Sequence, residues 1–314
     1  MLGATVSNAA VNAEVISYPE SIAAAQKVNW RIEDIIGGDK RLDFSKHFMP
    51  ESLVRIDNLT FVNDEEKRIL NQIKGHTYLS IFVIVEELIV PFVLDHVRAS
   101  LDEDDYRVRA FLQFAGEEVK HIQLFKKFNE EFEAGFATEC KIIGPGSDIA
   151  RTILSHQPLA VALMILGLEW ATQQHYVESV KDDASLDPLF RDLLKNHWLE
   201  EAQHAKLDIA MVLALAATMS KEEIEKAVDE FLEIGGFLDA GFRQQTILEL
   251  EAFETATGRT LTEAEREEFL NVQHQANRST YIGSGLIHPK FLATLGSIDS
   301  GQRARIEAVA PTFC

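Results

Sequence analysis

From Asp64 onward apolar residues return every three or four positions, the period of a helix with one buried face, in four long runs parted by short polar breaks. The first run, 64–100, opens on Asp64-Glu65-Glu66, whose charges oppose the positive end of a helix dipole. Its apolar line is Leu79, Phe82, Val83, Val90, Val93 and Val97, and Glu86 falls on it. After the acidic turn 102–105 comes the second run, about 105–134, with the line Phe111, Phe114, Glu118, His121, Phe125, Phe128 and Phe132. Gly144-Pro145-Gly146 breaks the chain, and Ser147 or Asp148 is placed to cap the next helix. The third run, 158–182, reads Ala162, Ile165, Glu169, then Gln173 and Tyr176. Asp187-Pro188 opens the fourth, 188–219.

Beyond these, Ser220 with Glu223 and Thr262 with Glu265 are capping-box pairs that open further helices. The tail from Ser279, with Gly283, Gly285, Pro289, Gly296 and Gly301, reads as looser. Residues 1–60 give only short helical stretches broken by Gly37-Gly38 and Pro50. No strand-like alternation, short repeat or low-complexity tract interrupts the pattern. The prediction is one all-α domain, a four-helix bundle over about 64–219 with an N-terminal extension, 1–63, and a helical C-terminal extension, 220–314.

Composition narrows the function classes. Of 314 residues, 46% are apolar and 25% charged, so a sizeable core is available. Acids outnumber bases 50 to 30, and a net charge of −20 repels nucleic-acid phosphates and anionic lipid. Neither is an expected partner. The two cysteines, Cys140 and Cys314, make no disulfide framework or thiolate metal site and fit a reducing compartment. Met1 to Val15 lacks the basic-then-apolar layout of a signal peptide. The run Ile81 to Val93, interrupted by Glu86, Glu87 and Pro91, reads as too short and too charged to span a bilayer. The expectation is a soluble, cytoplasmic protein.

The chemistry lies in acids and histidines on the apolar lines. Glu118 with His121, and Glu201 with His204, are E-x-x-H pairs, in which a carboxylate and an imidazole lie about 60° apart on one helix face. With ten histidines and 50 acids, one or two such pairs arise by chance, so the pairs alone decide nothing. Their setting does. Four-helix carboxylate sites take a lone Glu from each of two helices and Glu-x-x-His from each of the other two. Here Glu86 precedes Glu118, and Glu169 precedes Glu201, by the same 32 residues, the length of a helical hairpin. A carboxylate on a buried stripe is costly unless a cation meets it. The plain alternative is that these acids are solvated.

Glu87 is the alternate to Glu86. It shares a weakly polar line with Thr77, Ser80, Pro91 and Arg98, which favours Glu86. His197, four before Glu201 and seven before His204, adds a third imidazole to that face. The set is then four carboxylates and three imidazoles, a nitrogen and oxygen mix suited to iron or manganese. Asp208 and Tyr176 are candidates to orient these ligands. Glu117 and Glu200 adjoin the ligands but point about 100° away, which predicts solvent exposure. His96, His175, His274 and His288 read as surface or packing residues. Gly283-Ser-Gly285 follows no strand and is not a phosphate loop.

These residues resemble the ferritin-like di-iron carboxylate superfamily, and within it the para-aminobenzoate N-oxygenase family. The resemblance is carried, over about 65–215, by Glu86 or Glu87, Glu118-Val-Lys-His121, Glu169 and His197-Trp-Leu-Glu-Glu201-Ala-Gln-His204. In the last segment, H-x3-E-x2-H, the first histidine is the family's third imidazole ligand. The resemblance implies a non-haem di-iron oxygenase with two irons, or manganese beside iron, and dioxygen as co-substrate. It implies an amine, typically an arylamine, taken toward hydroxylamine or nitro products, an external electron donor, and a homodimer. An arylamine acid would need a cation for its carboxylate, and Arg243, Arg278 and Arg303 are candidates. The competing readings are a di-iron hydroxylase acting on carbon, a radical generator using Tyr176, and a non-enzymatic iron-handling protein.

Overall fold

The computed structural model describes residues 17–98 and 105–314. The segment Met1 to Val15 and most of the acidic turn before Asp105 lie outside the described residues. Short helices α1 (Tyr18–Ala25), α2 (Ile32–Ile35) and α3 (Glu51–Val54) precede the bundle of α4 (Asp64–Arg98), α5 (Asp105–Gly135), α7 (Pro158–Gln174) and α8 (Pro188–Ala216). Helix α6 (Gly146–Leu154) bridges the two hairpins. Helices α9 (Lys221–Thr257), α10 (Glu263–Arg278), α11 (Ser284–Ile287), α12 (Pro289–Ile298) and α13 (Ser300–Val309) complete the chain. Among the described residues there is no strand, and the architecture is a ferritin-like four-helix bundle with added helices.

The termini explain where each bundle helix starts. Asn63 Oδ1 accepts from the Glu65 and Glu66 amides while Glu66 accepts from the Asn63 amide, so α4 opens on a capping box. Asp187 accepts from the Phe190 amide at the head of α8, with Pro188 in its first turn. The boxes at Ser220 and Thr262 form as the sequence predicts. Pro91 does not end α4: it sits on the exposed face, where water can serve the carbonyl its ring leaves unbonded. Helix α7 is buried from Leu159 through Thr172 and packs on both α8 and α9.

Three local expectations are corrected. Neither Ser147 nor Asp148 caps α6, because the helix begins earlier, at Gly146, behind Pro145; Asp148 instead pairs with Arg151 at 2.9 Å. The third bundle helix stops at Gln174 and continues as a π-helical turn, His175–Val180. The tail from Ser279 is helical rather than loose. A Cβ at Gly285 would overlap the Gly167 carbonyl, and one at Gly283 would come within 2.7 Å of the Phe313 carbonyl. Those glycines permit close backbone packing.

Helix α4 is long and apolar enough to cross a membrane, with a mean hydropathy of 2.0 over its most apolar window, so the run 81–93 understates it. More than half of that window (56%) is buried within the protein, as expected of a bundle's core helix. Both extensions are tied to α4. Asn71 bonds the Phe48 and Met49 backbone, and buried Lys74 pairs with Glu249 of α9 at 3.0 Å.

Two core histidines make stability sensitive to acid. His76 lies against Phe132 and His175 bonds Ser284, and burial pushes each down to about 4. Both are neutral in the fold, while the unfolded chain gains their protons below about pH 6.5. Their contribution is therefore intact above pH 6.5 and lost as pH falls toward 4, on the order of 3 kcal/mol each. Urea midpoints at pH 7.5 and 4.5, with iron held constant, should differ less in the His76→Leu/His175→Leu variant. An equal difference would show that other groups set the acid limit.

Candidate metal centre

Four helices converge their polar side chains halfway along the bundle. Glu86 comes from α4, Glu118 and His121 from α5, Glu169 from α7, and His197, Glu201 and His204 from α8; none is more than 4% exposed. Glu201 is the hub. Its Oε1 lies 3.0 Å from His121 Nδ1 and 2.8 Å from His197 Nε2, and its Oε2 lies 3.1 Å from His204 Nδ1. Glu118 faces His204 Nδ1 at 2.8 Å and His121 Nδ1 at 3.2 Å, and Glu86 faces His197 Nε2 at 3.1 Å. Two overlapping sets, Glu86/His121/His197/Glu201 and Glu118/His121/Glu201/His204, each keep their donor atoms within 4.8 Å of one another. Either could hold a cation. Glu169 stands at the edge, beside Glu201.

Glu87, the alternate on α4, is turned outward and pairs with Lys126 at 2.6 Å. The structure therefore brings Glu86, and not Glu87, into the cluster.

The donor set fits a pair of divalent ions. Glu86 and Glu169 each bury one oxygen without a hydrogen-bond donor, and Glu118 Oε1 and Glu201 Oε1 face only imidazole nitrogens among the described residues, the condition that a cation relieves. Among the described residues no lysine or arginine pairs with any of the four. Carboxylate and imidazole donors suit iron or manganese. Electrostatics agree. Burial opposes charge on His121, yet hydrogen bonds to Glu118, Glu200 and Glu201 outweigh it and hold its pKa well above the ordinary value. His204 is raised likewise, against burial, by Glu201 and Glu118. Burial, with the Glu201 charge beside it, pushes Glu169 well up, and His197 and His204 outweigh burial to hold Glu201 well down.

Glu117 and Glu200 are not the solvated pair expected from their angle. Glu200 is 1% exposed, and its Oε2 accepts from His121 Nε2 at 2.9 Å; Glu117 accepts from His204 Nε2 at the same distance. His121 of α5 and His204 of α8 are thus each held from behind by a glutamate of the other helix. The two differ in support. Lys120 pairs with Glu200 and lies 3.8 Å over the Trp30 ring, while Gln113 donates to Glu117 at 3.1 Å. A signal was present: both motifs read E-E-x-x-H, as Glu117-Glu118 with His121 and Glu200-Glu201 with His204.

Asp208 is buried, with Oδ2 unpartnered, and burial raises its pKa well above normal; it shows no bond to a ligand imidazole. Tyr176 stacks on Trp198 at 4.6 Å and shares with His197, Tyr78 and His175 the wall of a void of about 10 Å3. His96 and His288 pack on Phe111 and Trp170, and His274 bonds the Asp239 carboxylate at 2.8 Å. Of the candidate arginines, Arg278 is clamped by Asp239 at 2.6 Å and Arg303 by Glu307 at 2.9 Å, and Arg243 sits on the exposed face of α9. None lines a cavity near the cluster.

No curated protein matches the chain. Among solved structures it is similar to a mutant R2-like ligand-binding oxidase with an aerobically reconstituted Fe/Fe cofactor, at 14% identity and a TM-score of 0.45, covering 92% of this chain and 95% of that one. The sequence model of the family described as P-aminobenzoate N-oxygenase AurF matches residues 12–231. The chain belongs to that family, and is a di-iron oxygenase or oxidase.

Proposed function

We propose that the protein N-oxygenates an amine with dioxygen, using two irons held by Glu86, Glu118, His121, Glu169, His197, Glu201 and His204. The observation that carries this reading is the third imidazole, His197, buried among Phe82, Phe125 and the carboxylates with Nε2 at 2.8 Å from Glu201, in a chain of the N-oxygenase family. Bound iron supplies the redox centre that activates dioxygen. The protein's own part is to hold seven donors in register, orient two imidazoles through Glu117 and Glu200, and keep water out with the phenylalanine seam. An amine, dioxygen, two electrons and two protons give a hydroxylamine and water, so an external reductant supplies the electrons. Iron in both positions is preferred to manganese in one. A cytoplasmic homodimer is part of the proposal. The radical reading has less support, since Tyr176 packs on Trp198 and meets His197 only across the small void.

The test uses iron-loaded protein, a chemical reductant, aniline and isotopically heavy dioxygen. One heavy oxygen in phenylhydroxylamine is expected; carbon hydroxylation alone, or no oxygen-dependent product, would reject the proposal. Glu86→Gln should lower bound iron below two per chain, whereas Glu87→Gln should leave it unchanged. The reverse result would move the α4 ligand to Glu87.

A further inference from the structure

The side of the bundle between α4, α7 and α9 is hollow. A cavity of about 300 Å3 lies among α4, α6, α7 and α9, and a second, of about 210 Å3, lies between α7, α9 and the C-terminal helices. Met164, Leu168, Leu238 and Tyr281 wall both. Val85 and Leu168 of the lining adjoin two proposed ligands in sequence, Glu86 and Glu169, so the lobes lie against the same stretches of α4 and α7 that carry those ligands. At the inner end the Tyr281 ring lies 6.4 Å from Phe82, which in turn meets His197 edge-on at 5.6 Å. At the outer end Phe237, Ala240 and Gln244 are exposed and form a mouth. Together the two lobes have the size of a small-ligand site.

Their lining is the informative part. Among the described residues, Gln244 and Tyr281 are the only lining residues with a polar nitrogen or oxygen on the side chain, and none is Arg, Lys, His, Asp or Glu. A carboxylate on the substrate would be buried there without a partner, at high cost, and would approach the four glutamates of the cluster. Of the three candidate arginines, Arg278 and Arg303 are paired with acids, and Arg243, exposed beside Gln244 on α9, lines neither lobe.

We infer that the substrate carries an uncharged hydrocarbon body and no anionic group, and reaches the metal-ligand cluster through this cleft. The inference rests on the proposed function only for the identity of the reacting group, an amine. It narrows the substrate class away from amino acids of the aminobenzoate type.

Binding can be read without turnover, by calorimetry on iron-loaded protein under nitrogen. The probes are 4-butylaniline and 4-aminobenzoate. The first should bind at least about tenfold more tightly. Ala240→Trp, which closes the mouth, and Gly235→Leu, whose new side chain starts where nothing lies within 4 Å and enters the second lobe, should each weaken 4-butylaniline by about tenfold with iron content unchanged. Ala240→Arg should strengthen 4-aminobenzoate. Equal or tighter binding of 4-aminobenzoate by the unaltered protein, no binding of 4-butylaniline, or indifference to both blocking variants would overturn the inference. If 4-butylaniline binds as described but gains no oxygen on nitrogen, the cleft stands and the proposed reaction falls. If 4-aminobenzoate is the better substrate, the reverse holds.

Discussion

Ferrous iron, added under nitrogen at two equivalents plus a large excess over its dissociation constants, should raise the melting temperature by about 10 °C or more. A ligand at a thousandfold excess over its dissociation constant stabilises the fold by about 4 kcal/mol, and two sites double that. In a chain of this size each kcal/mol moves the midpoint by about 2 °C. The physical reason is local. Four carboxylates are buried together; among the described residues imidazoles face them rather than lysine or arginine, and Glu86 and Glu169 each keep an oxygen that no donor reaches. Divalent ions neutralise the acids more completely than imidazolium protons do, and binding should release protons because His121 and His204 hold theirs well above the usual range. Glu201 touches all three imidazoles, so Glu201→Leu should abolish both the iron content and the thermal shift. Scanning calorimetry with parallel iron analysis reads both. A midpoint indifferent to iron, or a Glu201→Leu protein that still holds two irons, would mean that the cluster is only a buried proton-sharing network.

Much of this centre is legible in the sequence because burial leaves a period there. The phenylalanines of α5 mark a face, and Glu118 and His121 fall on it; the valine and leucine line of α4 chooses Glu86 over Glu87 by the same logic. Caps at Asp187, Ser220 and Thr262 set three helix starts because they are local chemistry. What the period does not carry is the neighbour. A residue 100° off the seam faces water on an isolated helix, but between α5 and α8 that direction is occupied by the opposite helix's imidazole, which is why the angle alone misplaces Glu117 and Glu200. The tail misleads for a related reason. Gly283 and Gly285 look like breakers in isolation, and only the backbones of Phe313 and Gly167 lying against them show why a side chain is forbidden. The arginines have no such context, and the charge of a distant side chain says nothing about which wall it will line.

The exchange of glutamates behind the imidazoles gives the second large effect. Glu200→Leu and Glu117→Leu should each lower iron affinity by about 10- to 100-fold, measured by competition with a chelator of known affinity. In each case Nε2–H donates to the glutamate and Nδ1 is left facing the cluster, so the glutamate fixes both the tautomer and the ring. Its charge also makes Nδ1 a stronger donor. The amide separates these roles, since Gln can still accept from Nε2–H but carries no charge. Glu200→Gln should therefore keep two irons per chain with affinity between that of the parent and that of Glu200→Leu. It should also release fewer protons on iron binding, because one of the acids raising His121 is gone. Glu117→Gln should do the same for His204, with a smaller structural disturbance, as Gln113 rather than a lysine stacked on Trp30 is its neighbour. If both leucine variants bind iron as the parent does, the two glutamates are packing residues that happen to meet histidines. Losses confined to Leu, with Gln equal to the parent, would assign them to orientation alone.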